Sequence, residues 1–487
     1  FRRVLFRSLK KSQYNKITRI SSSEYYDLSA AQRRIFFACM FDSENVRYNL
    51  TNAVIINGRI DVKRLEKAIR EIVNRHEILR TSYHLVDGLP KMKIHENINM
   101  DIACEKLENK EVLEKLEEFR QPFHLDEAPL MRIKLVRIAK DKLYLFYDVH
   151  HILFDSFSFG VILNELVALY KGEYLPELKI QYKDYAAWHN LQLTSEKLKL
   201  QEDYWISTLK EKLSYSILMP SRSCASKSNY HSDSIWFHIK SEETEKLKSI
   251  TIQTDTTLFM LLLAVLGVEL SKYLEQEDVL IGSPIAGRNH PDTESLIGDF
   301  INLIAIRVEA DEDSDFLSVL CKVKENCIHA YENQEYPFQN LLKKLDVKLD
   351  NENALFNVLF AFHSNLKSSY IGTEDWEIIE GEYDINAATY DITLDSEETE
   401  DGITFNLSYS TELYDRAYIE RFTENYCKLV KEVIRNPRVR IKELTLLTEE
   451  QEEELIKLGT GTVKELKDYT SWNLLEEIFS KHYDSIA

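Results

Sequence analysis

The feature that most constrains the fold of this chain is a strand that passes directly into an amphipathic helix, around His150, His151 and Asp155. Residues 143–149 are aromatic or aliphatic except for one aspartate, and they contain no Gly or Pro, which predicts a strand that ends at His151. In residues 156–170, apolar side chains recur at helical spacing, which predicts a helix with one apolar face. A strand followed at once by such a helix favours an α/β fold.

The same alternation continues along the chain. Residues 53–58 predict a strand, and Asp61 then predicts the N-cap of a helix with an apolar face. The order recurs later, with a helix over residues 258–274 and a strand over residues 278–281. We therefore expect two α/β halves, joined by the charged, helix-prone stretch of residues 194–212.

The residues of the HHILFDS segment leave several roles open. Asp155 at a helix start is typical of an N-cap, and two histidines at a strand end are typical of packed or solvent-facing side chains. A metal site is a weaker hypothesis, because adjacent strand residues point to opposite faces. A third hypothesis is a histidine base for acyl transfer, which these residues alone do not favour.

Composition limits the classes of function. The 487 residues exceed one ordinary domain, and 44% hydrophobic with 29% charged residues is typical of a globular protein. A formal charge of −20 argues against a nucleic-acid-binding surface, since phosphate neutralisation needs clustered Lys and Arg. The longest apolar run, residues 258–266, is too short to span a bilayer and predicts a buried helix instead.

The cysteines favour a cytoplasmic location. None of them forms a CxxC pair or a zinc-binding spacing, which is typical of reduced, buried thiols. The six cysteines are Cys39, Cys104, Cys224, Cys321, Cys327 and Cys427. No signal peptide is evident, and we expect neither a membrane nor a nucleic-acid partner.

An ordered set of short motifs is more specific than any one of them. In chain order the motifs are SAAQRR (29–34), RHEILRTSY (75–83), HHILFDS (150–156), YKDYAAW (182–188), IGSPIAGR (281–288), IGDFIN (297–302) and YPF (336–338). This set resembles the condensation domains of nonribosomal peptide synthetases over roughly residues 20–450. The resemblance implies an α/β fold of two chloramphenicol-acetyltransferase-like lobes, arranged as a V-shaped pseudo-dimer with a central tunnel.

The resemblance also implies a reaction. Domains of this family join a donor acyl or peptidyl thioester to the amine of an acceptor aminoacyl thioester, and both substrates are tethered to carrier proteins. We therefore expect an upstream donor and a downstream acceptor carrier protein as partners. No cofactor or metal is expected in the domain itself, because the substrates arrive on the phosphopantetheine arms of the carriers. The excised domain is expected to be a monomer.

By motif position, the resemblance implies that His151 is the catalytic residue, acting as a base or by positioning the amine. Asp155 would pair with Arg288 and fix the loop that presents His151. His150 would support this loop by packing or hydrogen bonding. Ser156 departs from the usual glycine of the family, and its added Cβ predicts a narrowed channel or a new hydrogen bond to substrate.

Two other motifs favour structural roles. The arginines of RHEILRTSY, Arg75 and Arg80, are interpreted as partners of buried carboxylates. The YKDYAAW residues are interpreted as core and lobe contacts rather than substrate ligands. They are Tyr182, Asp184, Tyr185 and Trp188.

The predicted organisation has four parts. Residues 1–20 form a basic leader or linker, residues 21–193 the first lobe, residues 194–450 the connector and second lobe, and residues 451–487 a linker and the beginning of an adenylation domain. Residues 2–8 read RRVLFRS, which resembles a translated sequencing adapter. Our hypothesis is that they are an assembly artefact, and natural coding sequence upstream in the source DNA would refute it.

Other members of the superfamily are weighed on the same motifs. An alternative function is a catalytically silent, condensation-like platform that recruits carrier proteins or tailoring enzymes. An epimerization domain or an acyltransferase that uses coenzyme A is less favoured, because of the adenylation-like stub. A heterocyclization domain would replace both histidines by an aspartate pattern, which is absent. The motifs most resemble domains that join an L-configured donor to an L-configured acceptor.

Overall fold

The structure is a computed structural model. It describes residues 16–40, 44, 46–210, 218–221, 232–345, 355–363, 371–372, 376–380, 390–447, 449–460 and 471–482. Most of the basic leader therefore lies outside the described residues. The chain divides into two compact units, Phe1–Leu444 and Thr445–Ala487.

The first lobe is built on a mixed sheet. Among the described residues this sheet has six strands, in the order Ile371–Gly372 (β12), Trp376–Glu380 (β13), Asn49–Gly58 (β2), Lys142–His150 (β7), Met131–Ala139 (β6) and Ile102–Lys106 (β5). All neighbours in it are antiparallel except β5 and β6. A small sheet lies beside it, in the order Tyr26–Asp27 (β1), Leu89–Ile94 (β4) and Thr81–Val86 (β3).

Helices cover this sheet for the reasons that the sequence predicts. Asp61 accepts hydrogen bonds from the backbone N–H groups of Lys63 and Arg64, so it caps the second helix as expected. The helix after β7 begins at Ser156 and ends where Gly172 takes a left-handed conformation. The helices up to the connector are Ala30–Met40 (α1), Val62–Arg75 (α2), Val112–Phe119 (α3), Ser156–Lys171 (α4), Tyr182–Gln192 (α5) and Glu196–Lys210 (α6).

The second lobe repeats the architecture. Its described strands form a sheet in the order Asn302–Glu309 (β10), Asp278–Ile285 (β9), Val358–His363 (β11), Ile392–Thr399 (β14), Gly402–Ser410 (β15) and Ser232–Lys240 (β8). Its helices are Ser241–Thr254 (α7), Leu258–Leu274 (α8), Phe316–Glu332 (α9), Phe338–Lys344 (α10) and Arg416–Arg435 (α11). Helix α8 is buried over most of its length, which confirms the predicted core helix.

The second lobe contributes a strand to the sheet of the first lobe. Strand β13 comes from the part of the chain assigned to the second lobe, yet it pairs with β2 of the first lobe, with Ile378 opposite Ile56. Trp376 at its start is 3% exposed and packs edge-on against Tyr170 of α4. The predicted boundary at residue 193 does not describe this strand, because β13 follows the boundary in the chain and yet pairs with a strand more than three hundred residues before it.

The second unit has two described helices, Glu449–Thr460 (α12) and Ser471–His482 (α13). Helix α13 covers the stretch that resembles the opening of an adenylation domain, and that assignment stays a prediction. Within the described ranges, no single helix is long and apolar enough to cross a membrane. The bent pair α7 and α8, which meet at 101°, passes that test together on length and composition alone.

Candidate functional site

The backbone turns between the two histidines of the HHILFDS segment. Strand β7 ends at His150, and His151 opens a short 3-10 turn, His151–Leu153, rather than ending the strand as predicted. The turn is held from both sides, since the N–H of His150 donates to the Leu130 carbonyl at 3.0 Å and the N–H of His151 donates to the Tyr48 carbonyl at 2.7 Å. The two imidazoles therefore occupy different environments.

His150 is a structural histidine by its surroundings. It is 2% exposed, and its Nδ1 accepts a hydrogen bond from the backbone N–H of Ile152 at 3.2 Å. Its Nε2 lies 3.6 Å from the Cys39 sulfur. Burial, with a smaller effect from His151, lowers the pKa of His150 to about 3. A neutral ring that bonds its own loop fits the supporting role predicted for it.

His151 is placed differently. Its side chain is 20% exposed, whereas its Nδ1 is buried and has no hydrogen-bond partner among the described residues. The nearest acidic atom is Oδ1 of Asp299, in the second lobe, at 3.9 Å. A partly exposed imidazole with one buried nitrogen can present its other edge to a reactant.

Asp155 both caps a helix and joins the lobes. As the N-cap of α4 it accepts from the N–H of Ser158 at 2.7 Å and from the Ser158 hydroxyl at 2.6 Å. Nη2 of Arg288 donates to its two oxygens at 2.9 and 3.2 Å. The N–H of Phe300 donates to it at 3.3 Å. The structure thus brings together Asp155 and Arg288, which the resemblance had paired.

Both terminal nitrogens of Arg288 are held by hydrogen bonds. Its Nη1 donates to the carbonyls of Thr293 and Leu296 at 2.7 and 2.8 Å, and its guanidinium lies 3.9 Å from the centre of the Phe300 ring. The preceding Gly287 has φ of +61°, and a Cβ there would lie 1.8 Å from the Phe300 carbonyl oxygen. Only glycine fits this approach, so the IGSPIAGR motif holds the arginine in place.

Ser156 is the first residue of α4 and is exposed. It does not have a positive φ, so this position does not require the conformational freedom of glycine. Serine therefore occupies this position without the backbone strain of a positive φ. An effect on substrate passage stays a prediction.

Helix α5 packs the YKDYAAW residues between the lobes. The Tyr182 hydroxyl donates to the Asp299 carbonyl, and a Cβ on Gly298 would lie 1.9 Å from the Tyr182 ring. The Tyr185 and Phe300 rings are 4.5 Å apart. Asp184 accepts from the N–H groups of Ile20 and Gln181. These are core and lobe contacts, as interpreted from the sequence.

The RHEILRTSY motif gives a mixed outcome. Arg75 donates to Glu165 at 3.0 Å, and His76 lies 2.7 Å from the other Glu165 oxygen. Burial raises the pKa of Glu165, but the hydrogen bond and charge of His76 with those of Arg75 lower it more. Arg80, in contrast, donates to backbone carbonyls, among them Val73 at 3.2 Å. The prediction of a carboxylate partner for Arg80 is wrong, because this side chain donates to carbonyls at the end of α2 and just after β4.

Asp299 is the site residue that the sequence analysis missed. It is buried, with 0% exposure, and one of its oxygens accepts from the N–H of Ile301 at 3.1 Å while Oδ2 has no partner in the described part of the chain. Burial raises the pKa of Asp299, and the charges of His151 and Arg34 oppose this. The available signal was an acidic residue inside the apolar run of the IGDFIN motif.

A pocket of about 60 Å³ lies beside this junction. First-lobe residues such as Arg34 and Trp188 line it together with Gly287, Phe300 and Phe338 of the second lobe. Within the described residues, no group of three or more His, Cys, Asp or Glu side chains could hold a metal ion.

Comparisons with known proteins identify the family to which this chain belongs. The family model "Condensation domain" matches residues 22–456. Gramicidin S synthase 2 of Aneurinibacillus migulanus is 35% identical over 476 residues, which are 98% of this chain and 11% of that protein. Tyrocidine synthase 3 of Brevibacillus parabrevis is 32% identical over 490 residues, covering 100% of this chain and 8% of that protein. The chain thus spans a small fraction of the length of these relatives.

Solved structures share the fold. A four-domain nonribosomal peptide synthetase bound to AMP and glycine aligns with a TM-score of 0.82 at 17% identity, covering 97% of this chain and 38% of that one. The X-domain from teicoplanin biosynthesis aligns with a TM-score of 0.82 at 21% identity, covering 89% and 100%. These likenesses confirm the predicted α/β fold class, and the V-shaped pseudo-dimer is consistent with them.

Proposed function

Since the chain belongs to the condensation-domain family, we propose that it forms an amide bond between a donor acyl or peptidyl thioester and the amine of an acceptor aminoacyl thioester. The observation that supports this most is the placement of His151. It is a partly exposed imidazole on a turn that the Asp155–Arg288 pair fixes between two lobes.

The proposed reaction transfers an acyl group. The acceptor nitrogen attacks the thioester carbonyl, a C–N bond forms, the C–S bond breaks, and the nitrogen proton passes to His151 and then to the departing thiolate. An α-amino group and an imidazole have ordinary pKa values of about 8 and 6.5, so this proton transfer is feasible near neutral pH. Holding two tethered reactants in line supplies a further part of the acceleration.

The partners follow from this chemistry. Both substrates would be thioesters on the phosphopantetheine arms of an upstream donor and a downstream acceptor carrier protein, and the domain would supply no cofactor of its own. An adenylation domain following in the same chain, a cytoplasmic location and a monomeric excised domain belong to the same proposal. The most detailed part of the proposal is that both the donor and the acceptor are L-configured.

Reconstitution tests the proposal. Donor and acceptor carrier proteins are loaded enzymatically, the chain is added, and the product is quantified by mass spectrometry. We expect product with the wild type and a loss of about 10²- to 10⁴-fold in single-turnover rate with His151→Ala. His124→Ala, an exposed histidine of the same lobe, is the matched control and should retain the wild-type rate.

One result would contradict the proposed reaction, and another would contradict the role of His151 in it. Binding of both loaded carriers without product, for matched substrates, would favour the silent platform instead. Equal rates with and without His151 would leave acyl transfer possible but remove this histidine from it.

A further inference from the structure

The imidazole of His151 and the carboxylate of Asp299 lie close together at the lobe junction, with no hydrogen bond between them. Nδ1 of His151 and Oδ2 of Asp299 are both buried and have no partner among the described residues, and the other oxygen of Asp299 lies 3.9 Å from Nδ1. This separation is too long for a hydrogen bond but is within ion-pair range. Shortening it by about 1 Å would bring it to the length of a hydrogen bond.

The two carboxylates near His151 differ in their availability. Asp155 already accepts from Arg288, from the hydroxyl and N–H of Ser158, and from the N–H of Phe300. Asp299 has one described backbone donor, Ile301 N–H, for two buried oxygens. Of these two, Asp299 is therefore the carboxylate with an oxygen left for the imidazole.

Contacts with the first lobe fix the position of Asp299 near His151. The Tyr182 hydroxyl donates to its carbonyl oxygen, and Gly298 before it has no room for a side chain against the Tyr182 ring. The Phe300 N–H after it donates to Asp155. Both neighbours of Asp299 are thus fixed by first-lobe residues, so its position relative to His151 is set by the junction itself.

A carboxylate on Nδ1 has a defined chemical effect. The hydrogen bond made by one ring nitrogen decides which nitrogen carries the proton. An acceptor at Nδ1 favours the Nδ1–H tautomer, which leaves a lone pair on Nε2, and it stabilises the imidazolium once Nε2 has taken a proton.

We propose that Asp299 is a positioning residue for His151, which binds the Nδ1–H of His151 from the opposite lobe during the reaction. This inference rests on the proposed function for its kinetic consequence, though the pairing itself does not. In the reaction, Nε2 of His151 accepts the proton that the attacking nitrogen loses, and the resulting imidazolium faces the Asp299 carboxylate. The proton then leaves with the thiol when the C–S bond has broken.

Other charged and titratable groups also face Asp299. Arg34 acts on it as a cation, as does His151 once it is protonated, and Asp155 acts as an anion, while the charge of Asp299 acts on the buried hydroxyls of Tyr83, Tyr182 and Tyr185. Arg34 favours the carboxylate form, as the pairing requires. The tyrosines remain neutral at working pH because burial, with Asp299 adding to it, raises the pKa of each of them.

The test compares Asp299→Asn with Asp148→Asn in the intact chain. Asp148 is an equally buried carboxylate of the first lobe, bonded to Thr51 and Arg132 rather than to a histidine. In Asp299→Asn we expect the single-turnover rate to fall about 10- to 100-fold, with the acidic limb of its pH profile moved to lower pH. Its melting temperature should stay equal or rise, because a buried, under-bonded charge is removed. Asp148→Asn should lower the melting temperature and leave the shape of the pH profile unchanged.

A second measurement does not depend on activity. Ring-nitrogen NMR of labelled histidine, with the His151 signals assigned by their loss in His151→Ala, should show the Nδ1–H tautomer in the wild type and its loss in Asp299→Asn. An unchanged tautomer, or a rate loss accompanied by a lower melting temperature and an unmoved pH profile, would overturn the inference. A wild type that gives no product with any matched carriers, while the tautomer still depends on Asp299, would reject the proposed function alone.

Discussion

Two buried carboxylates, Asp155 and Asp299, lie at the junction between the lobes, and they differ in the number of hydrogen bonds that they accept. Asp155 is 1% exposed and bonds Arg288, Ser158 and the backbone of Phe300. Asp299 is 0% exposed and has one described donor, and its Oδ1 lies 3.9 Å from Nδ1 of His151. The first charge is fully compensated within the protein, whereas the second is not.

The difference indicates two roles: Asp155 fixes the geometry of the loop, whereas Asp299 can respond to a change of charge on its neighbour. A compensated buried pair fixes the loop in one geometry, and removing one partner leaves the other charge buried and unpaired. An under-bonded carboxylate instead costs stability in the resting protein, but it can respond to a proton that arrives on its neighbour. Substitutions of these and related residues should therefore differ in sign as well as in size.

The largest effect is expected for Asp155→Ala. It removes the partner of Arg288 and the cap of α4 together, so the free energy of unfolding should fall by about 3 to 5 kcal/mol. Urea denaturation followed by circular dichroism measures this, and soluble yield should fall with it. Asp155→Asn keeps a capping oxygen and should lose less. A well-folded, inactive Asp155→Ala protein would contradict a holding role and favour a chemical one.

An intermediate effect of opposite sign is expected for Glu269→Gln in α8. Glu269 is 0% exposed, neither oxygen has a partner among the described residues, and burial raises its pKa well above the usual range. Because burial makes the pKa of Glu269 higher in the folded chain than in the unfolded chain, wild-type stability falls as pH rises above the ordinary range of a glutamate. The variant lacks this loss, so its stability relative to the wild type should increase between pH 4 and pH 6, by about 1.4 kcal/mol for each unit of pKa difference.

Denaturation curves at both pH values check this sign. Equal pH dependence for the two proteins would mean that Glu269 is solvated or paired in the folded state. In that case the contrast between compensated and under-bonded carboxylates would not extend beyond the lobe junction.

The smallest effect is expected for Ser156→Gly. The residue is exposed at the first position of α4, so the change should cost about 0.5 to 1 kcal/mol in helix stability and leave the Asp155 contacts intact. Thermal melting measures the stability. Single-turnover rates with acceptors of several sizes test whether Ser156 narrows the passage, and unchanged rates with all of them would refute that hypothesis.

The sequence predicted much of this molecule because those features are local. Helix α4, the Asp61 cap and the buried helix α8 follow from periodicity and capping within a few residues. The Asp155–Arg288 pair joins distant positions, and it came from the ordered motifs rather than from any local pattern. The end of β7 was misplaced by one residue, since the turn at His151 depends on a bond to the Tyr48 carbonyl.

The remaining features depend on pairings that no single segment encodes. Asp299 comes within 3.9 Å of His151 only because α5 packs against residues 298–300. Arg80 was assigned a carboxylate because its charge suggested one, while in the fold it donates to backbone carbonyls at the end of α2 and just after β4. The placement of β13 beside β2 likewise has no local signal, because its short apolar run would fit an edge of either sheet.

The pairing of β13 with β2 also delays completion of the first sheet during synthesis of the chain. Glu377 pairs with Asn57, 320 residues earlier in the chain, so the first sheet cannot be completed until that later strand has left the ribosome. At about 5 to 20 residues per second, the nascent first lobe waits roughly 15 to 60 s with one edge of β2 uncovered. Its early strands must therefore resist pairing with neighbouring nascent chains during translation, a demand that the finished protein no longer faces.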